Sequence, residues 1–302
     1  MKTLAFSKLS ITALLACAQG CASSSSAPAH EFQTPEAAVR GLVEASEDED
    51  AAEALLGPGG FSLLRSGDDV ADRQDFEAVV ALVQEGVAFE DIDADRKLAL
   101  LGRERWELPI PLVREGDVWK FDVEAGREEV LNRRVGRNEL STIATLREFV
   151  AAQREYAAEQ HDQTPVQYAQ RVLSSPGKHD GLYWDVAQGQ PESPLGPFVA
   201  EAFEEGYRES AEKPIPYHGY CFRLLTEQGS NAPGGVRSYL DEKGRLTRGF
   251  AFVAWPATYD NSGVMTFVVN QQGIVFQKDF GPVENVTVTS YDPDASWTPT
   301  SD

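Results

Sequence analysis

Apolar and polar positions divide the chain into a leader and two longer stretches of similar design. Leu9–Ala16 (LSITALLA) forms a short apolar core behind Lys2 and Lys8, and small residues and serines follow it. From Thr34 the spacing becomes helical: Ala38, Leu42 and Ala45 recur on one face, with Thr34 as N-cap and Pro35 at the first helical position. A second helix is predicted over 50–56, stopped by Gly57-Pro58-Gly59-Gly60, and a third over 71–85, with Phe76, Val79, Val80 and Val83 on one side. The period then shortens. Segments 97–101, 105–113 and 118–123 read as strands, the last two joined at Arg114-Glu115-Gly116-Asp117, and Trp119 and Phe121 alternate with Lys120 and Asp122. Pro109 and Pro111 place their segment at a sheet edge or a bulge.

The second stretch repeats the order of helices before strands. A basic helix or linker is predicted over 125–135. A long helix follows over 138–159, where Leu140, Ile143, Leu146, Phe149, Val150 and Tyr156 carry a 3.6-residue rhythm. Thr164-Pro165 predicts a shorter helix through Leu173. Ser193-Pro194 predicts another, with Leu195, Phe198, Val199, Ala202 and Tyr207 as its stripe. Strands are predicted over 217–225, 250–255, 264–270 and 274–280, with Gln271-Gln272-Gly273 as a hairpin turn. The fold class is α+β: a leader (1–20), a flexible tether (21–31), a module of helices and antiparallel sheet (32–135), a second module of long helix and antiparallel sheet (136–290) and a trailing tail (291–302). The element order and the GDVWKFD hairpin end of the first module resemble the nuclear-transport-factor-2-like cone. In the second, HGYCF (218–222), FVAWP (252–256), GVMTFVVN (263–270) and GIVF (273–276) resemble the soluble part of pilins and pseudopilins.

Composition adds an address. The basic start, short apolar core and following cysteine form a secretory signal of the bacterial lipoprotein type. Two cysteines compete for the acyl group. Leu14-Leu15-Ala16-Cys17 has the better local pattern; Ala18-Gln19-Gly20-Cys21 allows a longer apolar core. Neither is followed by Asp, which points to the outer membrane, and plain secretion without acylation is the alternative. The formal net charge of −21 would repel phosphate backbones and anionic bilayers, so no nucleic-acid partner is expected and acyl chains would have to hold the chain at a membrane.

Candidate chemistry is sparse. Ser175-Pro176-Gly177-Lys178 has the S-x-x-K spacing of serine acyl-enzymes, but Pro176-Gly177 opposes a helix there and the companion motifs are missing. Asp91-x-Asp93-x-Asp95 opens like a calcium loop, yet Arg96 and Gly102 stand where Gly and Glu are needed, leaving a solvated acidic turn. Four histidines give no ligand set of zinc spacing, so neither metal nor cofactor is expected. Cys221 reads as an inert, buried thiol. The segment 174–184 combines turn residues, a cation, an acid and two aromatics. Lys178, Asp180, Tyr183 and Trp184, with His218 and Trp255, are therefore the candidate ligand-binding residues.

The stretches TPEAAV (34–39), LPIPLVREGDVWKFDVEAGREEVLNRRVGRNEL (108–140), AQREYA (152–157), YAQRVLSSPGKHDGLYW (168–184), SPLGPFVAEAFEEGYR (193–208) and FAFVAWPATYDNSGVMTFVVNQQGIVFQKDFGP (250–282) resemble the bacterial family known as domain of unknown function 2950. The chain departs from it at Cys221 and at 160–165. The resemblance implies an exported envelope protein, often a lipoprotein, and transfers no catalytic residue. The expected function is a non-enzymatic, lipid-anchored periplasmic module that binds an envelope protein. The alternatives are a hydrolase or small-ligand binder with a cleft around 174–184 and His218, and an accessory of pilus-like or secretion machinery.

Overall fold

The computed structural model describes residues 31–45, 48–57, 59–159, 165–186, 189–205, 207, 216–282 and 288–301. The leader, Cys17, Cys21 and most of the tether lie outside them. The chain order is α1 (Pro35–Ala45), α2 (Glu49–Leu56), α3 (Gly60–Leu64), α4 (Asp69–Glu85), β1 (Val87–Asp91), β2 (Arg96–Leu101), β3 (Trp106–Glu107), β4 (Leu112–Glu115), β5 (Val118–Phe121), α5 (Val123–Glu159), α6 (Gly196–Glu205), β6 (Tyr220–Leu225), β7 (Glu227–Gln228), β8 (Arg237–Ser238), β9 (Ala251–Pro256), β10 (Met265–Asn270), β11 (Phe276–Asp279) and β12 (Thr298–Pro299). The fold is α+β with antiparallel sheets, and no helix among the described residues is long and apolar enough to cross a membrane.

The first sheet runs β1-β2-β4-β5, with β3 on β2. Its β1–β2 hairpin turns through the acidic segment, where Arg96 pairs with Asp93 and Lys97 with Asp91. Ala38, Val39, Leu42, Leu55 and Leu63 of the helices meet Ala99, Leu101, Leu112, Trp119 and Phe121 of the sheet in one apolar cluster. The breaker at 57–60 ends α2 but also starts α3, because Glu53 reaches forward to accept from Gly59 N (2.9 Å) and Phe61 N (3.2 Å). Helix α4 starts at Asp69, two residues earlier than its apolar pattern, because Asp68 caps it through Val70 N and Ala71 N.

The second sheet runs β12-β11-β10-β9-β6. The nearly continuous apolar run 250–256 makes β9 an interior strand with both faces covered. Phe149 of α5 sits over it, with ring centroids 5.1 Å from Phe252 and 5.5 Å from Phe222. A second apolar cluster gathers there, with Tyr220, Tyr239, Phe250 and Phe267 fully buried.

Several elements differ from the sequence pattern: β1 has no counterpart in it, and segment 105–113 is not one strand but β3 and the start of β4, with Pro109 and Pro111 in the connection between them. The predicted linker and long helix are one continuous helix of 37 residues, α5. Its buried stripe passes through Arg134, Asn138, Thr142 and Thr145 before it reaches Leu146, and Leu140 is 71% exposed. No helix forms over 165–173. There the Gln153 amide pairs with Ala169 like a strand partner, giving 2.8 Å to its O and 2.9 Å from its N, and Leu173 bridges Tyr183. Residues 291–301 do not trail away: Tyr291 is buried, exchanging hydrogen bonds with Glu227 O and Gly229 N, and β12 pairs with β11.

Candidate functional site

A cleft of about 360 Å³ lies under α4. Its floor is apolar, built from Leu42, Leu64, Leu108 and Ile110, and α4 contributes Phe76, Ala78, Val79 and Leu82. Helix α4 itself buries no residue completely. Its expected apolar face is present: Val79, Leu82 and Val83 pack against the first apolar cluster while only partly buried, and Phe76 and Val79 also line the cleft. The volume lies in the range of small-molecule sites, as does the combination of an apolar floor with a few polar groups at the rim.

The rim is charged. Arg133, Arg134 and Arg137 of α5 form one wall, facing Asp72 and Asp75 of α4. Arg137 makes a two-point pair with Asp75 at 2.8 and 2.6 Å, with both side chains about half exposed (56% and 49%). Arg133 lies over the Trp106 ring at 5.6 Å and donates to Glu107 O at 2.7 Å. Asp72 accepts from Ser66 N at 2.9 Å; burial nevertheless raises its carboxyl above the usual range, against the pull of Arg134 and Arg65. Burial likewise lowers the Arg134 guanidinium.

Behind this wall the two apolar clusters are joined by polar groups. Arg134 donates to Leu63 O (2.6 Å) in the first and to Asn261 Oδ1 (2.5 Å) beside the second. Asn138 donates to Ser262 O, and Glu139 accepts from Val264 N and Met265 N. Asp68, 2% exposed, caps α4 and also accepts from the Tyr207 hydroxyl (2.8 Å) and Gly219 N (3.0 Å). The Gly219 amide is presented by a left-handed pair, His218 (φ 46°) and Gly219 (φ 75°). A Cβ on Gly219 would stand 2.6 Å from the Asn138 amide.

The residues singled out in the sequence fall in three places. Lys178 is exposed on a turn closed by its own N–H to Ser175 O. Asp180 folds back on that turn, accepting from Ser175 N at 2.7 Å. This holds its carboxyl below the usual range, with help from the Ser175 hydroxyl and Arg171. Trp184 stacks with His179 at 4.3 Å, and these two line a hollow of about 340 Å³ with Asp185 and Glu192. Tyr183 donates to Asp185. His218 lies at the junction, 3.4 Å from Glu205 and edge-on to Tyr207 and Tyr217. Trp255 is on β9, under the Arg223 guanidinium at 5.4 Å. Within the 174–184 segment Asp180 thus pairs with Ser175, Tyr183 with Asp185 and Trp184 with His179, and the contacts of His218 and Trp255 are made elsewhere. Burial raises the Cys221 thiol above its ordinary value.

The profile of a family described as protein of unknown function (DUF2950) matches residues 29–300, nearly the whole chain. The chain belongs to that family. No curated protein and no solved structure matches it. The DUF2950 match runs without interruption across both apolar clusters and the junction.

For this DUF2950 chain, sequence reasoning singled out the aromatic loop and passed over the cleft. Arg133, Arg134 and Arg137 read as an unremarkable basic stretch, because nothing local distinguishes an arginine facing a cleft from one facing solvent. The usable signal was the spacing 133/134/137, which puts all three on one side of a helix. The weak apolar stripe of α4 was a second signal.

Proposed function

We propose that the protein is an exported, lipid-anchored binding module of the bacterial envelope, and that the cleft under α4 is where it holds a ligand. The export and anchor reading rests on the signal pattern ahead of Cys17 and Cys21. The observation that carries the binding reading is the cleft itself: an apolar space of about 360 Å³ covered by a helix with no fully buried side chain. A monomer gains by closing such a space, so one kept open between packed elements points to an occupant. The wall groups are arginines and aspartates held in ion pairs and hydrogen bonds, which suits holding a molecule and supplies no activated nucleophile.

The test uses the full chain carrying Cys17→Ser and Cys21→Ser and a neutral apolar fluorophore, 1-N-phenylnaphthylamine. The expected result is saturable fluorescence that Val79→Trp, which adds bulk on the cleft side of α4, abolishes while the chain keeps a cooperative melting transition. A signal indifferent to Val79→Trp would overturn the reading. Labelled palmitate fed to cells making the unaltered chain checks the anchor: label should be incorporated and lost on replacing both cysteines, and its absence from the unaltered chain refutes acylation.

A further inference from the structure

Resting on the assignment of the α4 cleft as a ligand site, we propose that its ligand is a free single-chain amphiphile with one anionic head group, and that the head takes the place of Asp75 on Arg137.

The size, the apolar floor and the charged rim each contribute. A space of about 360 Å³, at roughly 30 Å³ per water-sized group, takes about a dozen such groups, the bulk of a medium alkyl chain and not of a folded peptide or a two-chain lipid. The floor of Leu42, Leu64, Leu108 and Ile110 and the cover of Phe76 and Val79 offer an alkyl chain no hydrogen-bonding partner it would waste. At the rim arginines are concentrated. Four arginines (65, 133, 134 and 137) and two aspartates (72 and 75) line the cleft, in a chain whose formal net charge is −21. Arg65 and Arg133 are matched by Asp69, Glu107 and Glu129 beside the cleft, so the preference for an anionic over a cationic head rests on the Arg137 guanidinium.

Of the three arginines that α5 contributes, Arg137 is the one placed to exchange partners. Arg134 is buried and committed to Leu63 O and Asn261, and Arg133 is fixed by Glu107 O, Glu129 and the Trp106 face. The Arg137 fork meets the Asp75 carboxylate in a half-exposed, two-point geometry that another carboxylate can reproduce oxygen for oxygen. Exposed pairs of this kind hold with little net free energy, so the exchange is cheap. Asp75 belongs to the covering helix and Arg137 to the wall, so the pair ties the cover down. Replacing it by a ligand head transfers that tie to the ligand.

The experiment is calorimetric titration of the full chain carrying Cys17→Ser and Cys21→Ser, below the micelle concentration of each probe. The probes share a twelve-carbon tail: dodecanoate, dodecanol and dodecyltrimethylammonium. Dodecanoate should bind about tenfold or more tighter than dodecanol, the difference expected for a charge-assisted hydrogen-bonded head. The ammonium probe should bind weakest. Asp75→Asn should tighten dodecanoate several-fold, and Arg137→Gln should bring it to the level of dodecanol while leaving dodecanol unchanged. Equal binding of dodecanoate and dodecanol overturns the head-group assignment and leaves the cleft standing. Binding of neither probe removes the cleft reading as well. Binding to phosphatidylglycerol vesicles without binding of monomeric dodecanoate also overturns the proposal, since it would place the recognition at a lipid surface. The melting temperatures of both variants serve as the fold control, and the pair's exposure predicts that they match the parent.

Discussion

Two aspartates show how the same side chain takes opposite roles from its surroundings. Asp72 is raised, first by burial, so its proton is held more tightly in the folded chain than in the unfolded one. Its contribution to stability is full below the ordinary value of 3.8 and is lost as pH rises through the higher folded value. Asp180 is lowered, first by the Ser175 N–H, so its contribution is present above 3.8 and lost as pH falls through the lower folded value. Melting temperatures of Asp72→Asn and Asp180→Asn, each compared with the parent from neutral pH down to about 3, should therefore diverge. As the pH falls, the parent gains on Asp72→Asn and loses on Asp180→Asn. Parallel curves would show that one environment has been misjudged. None of this is legible in sequence, where Asp72 is one of several acids in a predicted helix and Asp180 one acid in a turn-rich segment.

At the scale of elements, the helices and strands with clear periods were legible and the polar exceptions were not. Thr34-Pro35 marks the start of α1, and Ala37 N donates to the Thr34 hydroxyl at 3.2 Å. The run 250–256 forms an interior strand because nothing in it needs water. By contrast, α5 looked like two helices because its buried stripe turns polar at Arg134, Asn138 and Thr142, and hydropathy alone reads a polar residue as exposed. The missing helix at 165–173 has a tertiary cause, the Gln153 amide, which offers that backbone a strand-like partner that local propensity cannot anticipate. The start of α5 also depends on close approach. A Cβ on Gly126 would meet Ile110 Cα at 2.7 Å and Pro109 O at 2.9 Å, so the helix touches the β3–β4 connection at backbone distance. Gly126→Ala should lower unfolding stability by about 1–3 kcal/mol despite improving helix propensity. Urea denaturation showing a gain would mean that this contact is loose.

Across the whole molecule, two apolar clusters share one long helix, and the polar groups of its middle turns decide whether they unfold together. Arg134 is the central pin, since its guanidinium serves carbonyls on both sides and is 7% exposed. Arg134→Ala leaves Leu63 O and Asn261 without that donor and should cost about 3 kcal/mol or more. Calorimetry should show one unfolding transition in the parent and two in the variant. A single unshifted transition in the variant would show that the junction does not couple the clusters. This frame also explains why the cleft persists: α5 and the first sheet are fixed by the junction and the apolar cluster, so α4 can lie over the gap without collapsing into it. The most direct test of the account is hydrogen exchange of the full chain carrying Cys17→Ser and Cys21→Ser, with and without saturating dodecanoate. Slower exchange should appear across 69–85 and around 133–137 and be absent from 174–184. Protection centred on Trp184, or no protection anywhere, would contradict it.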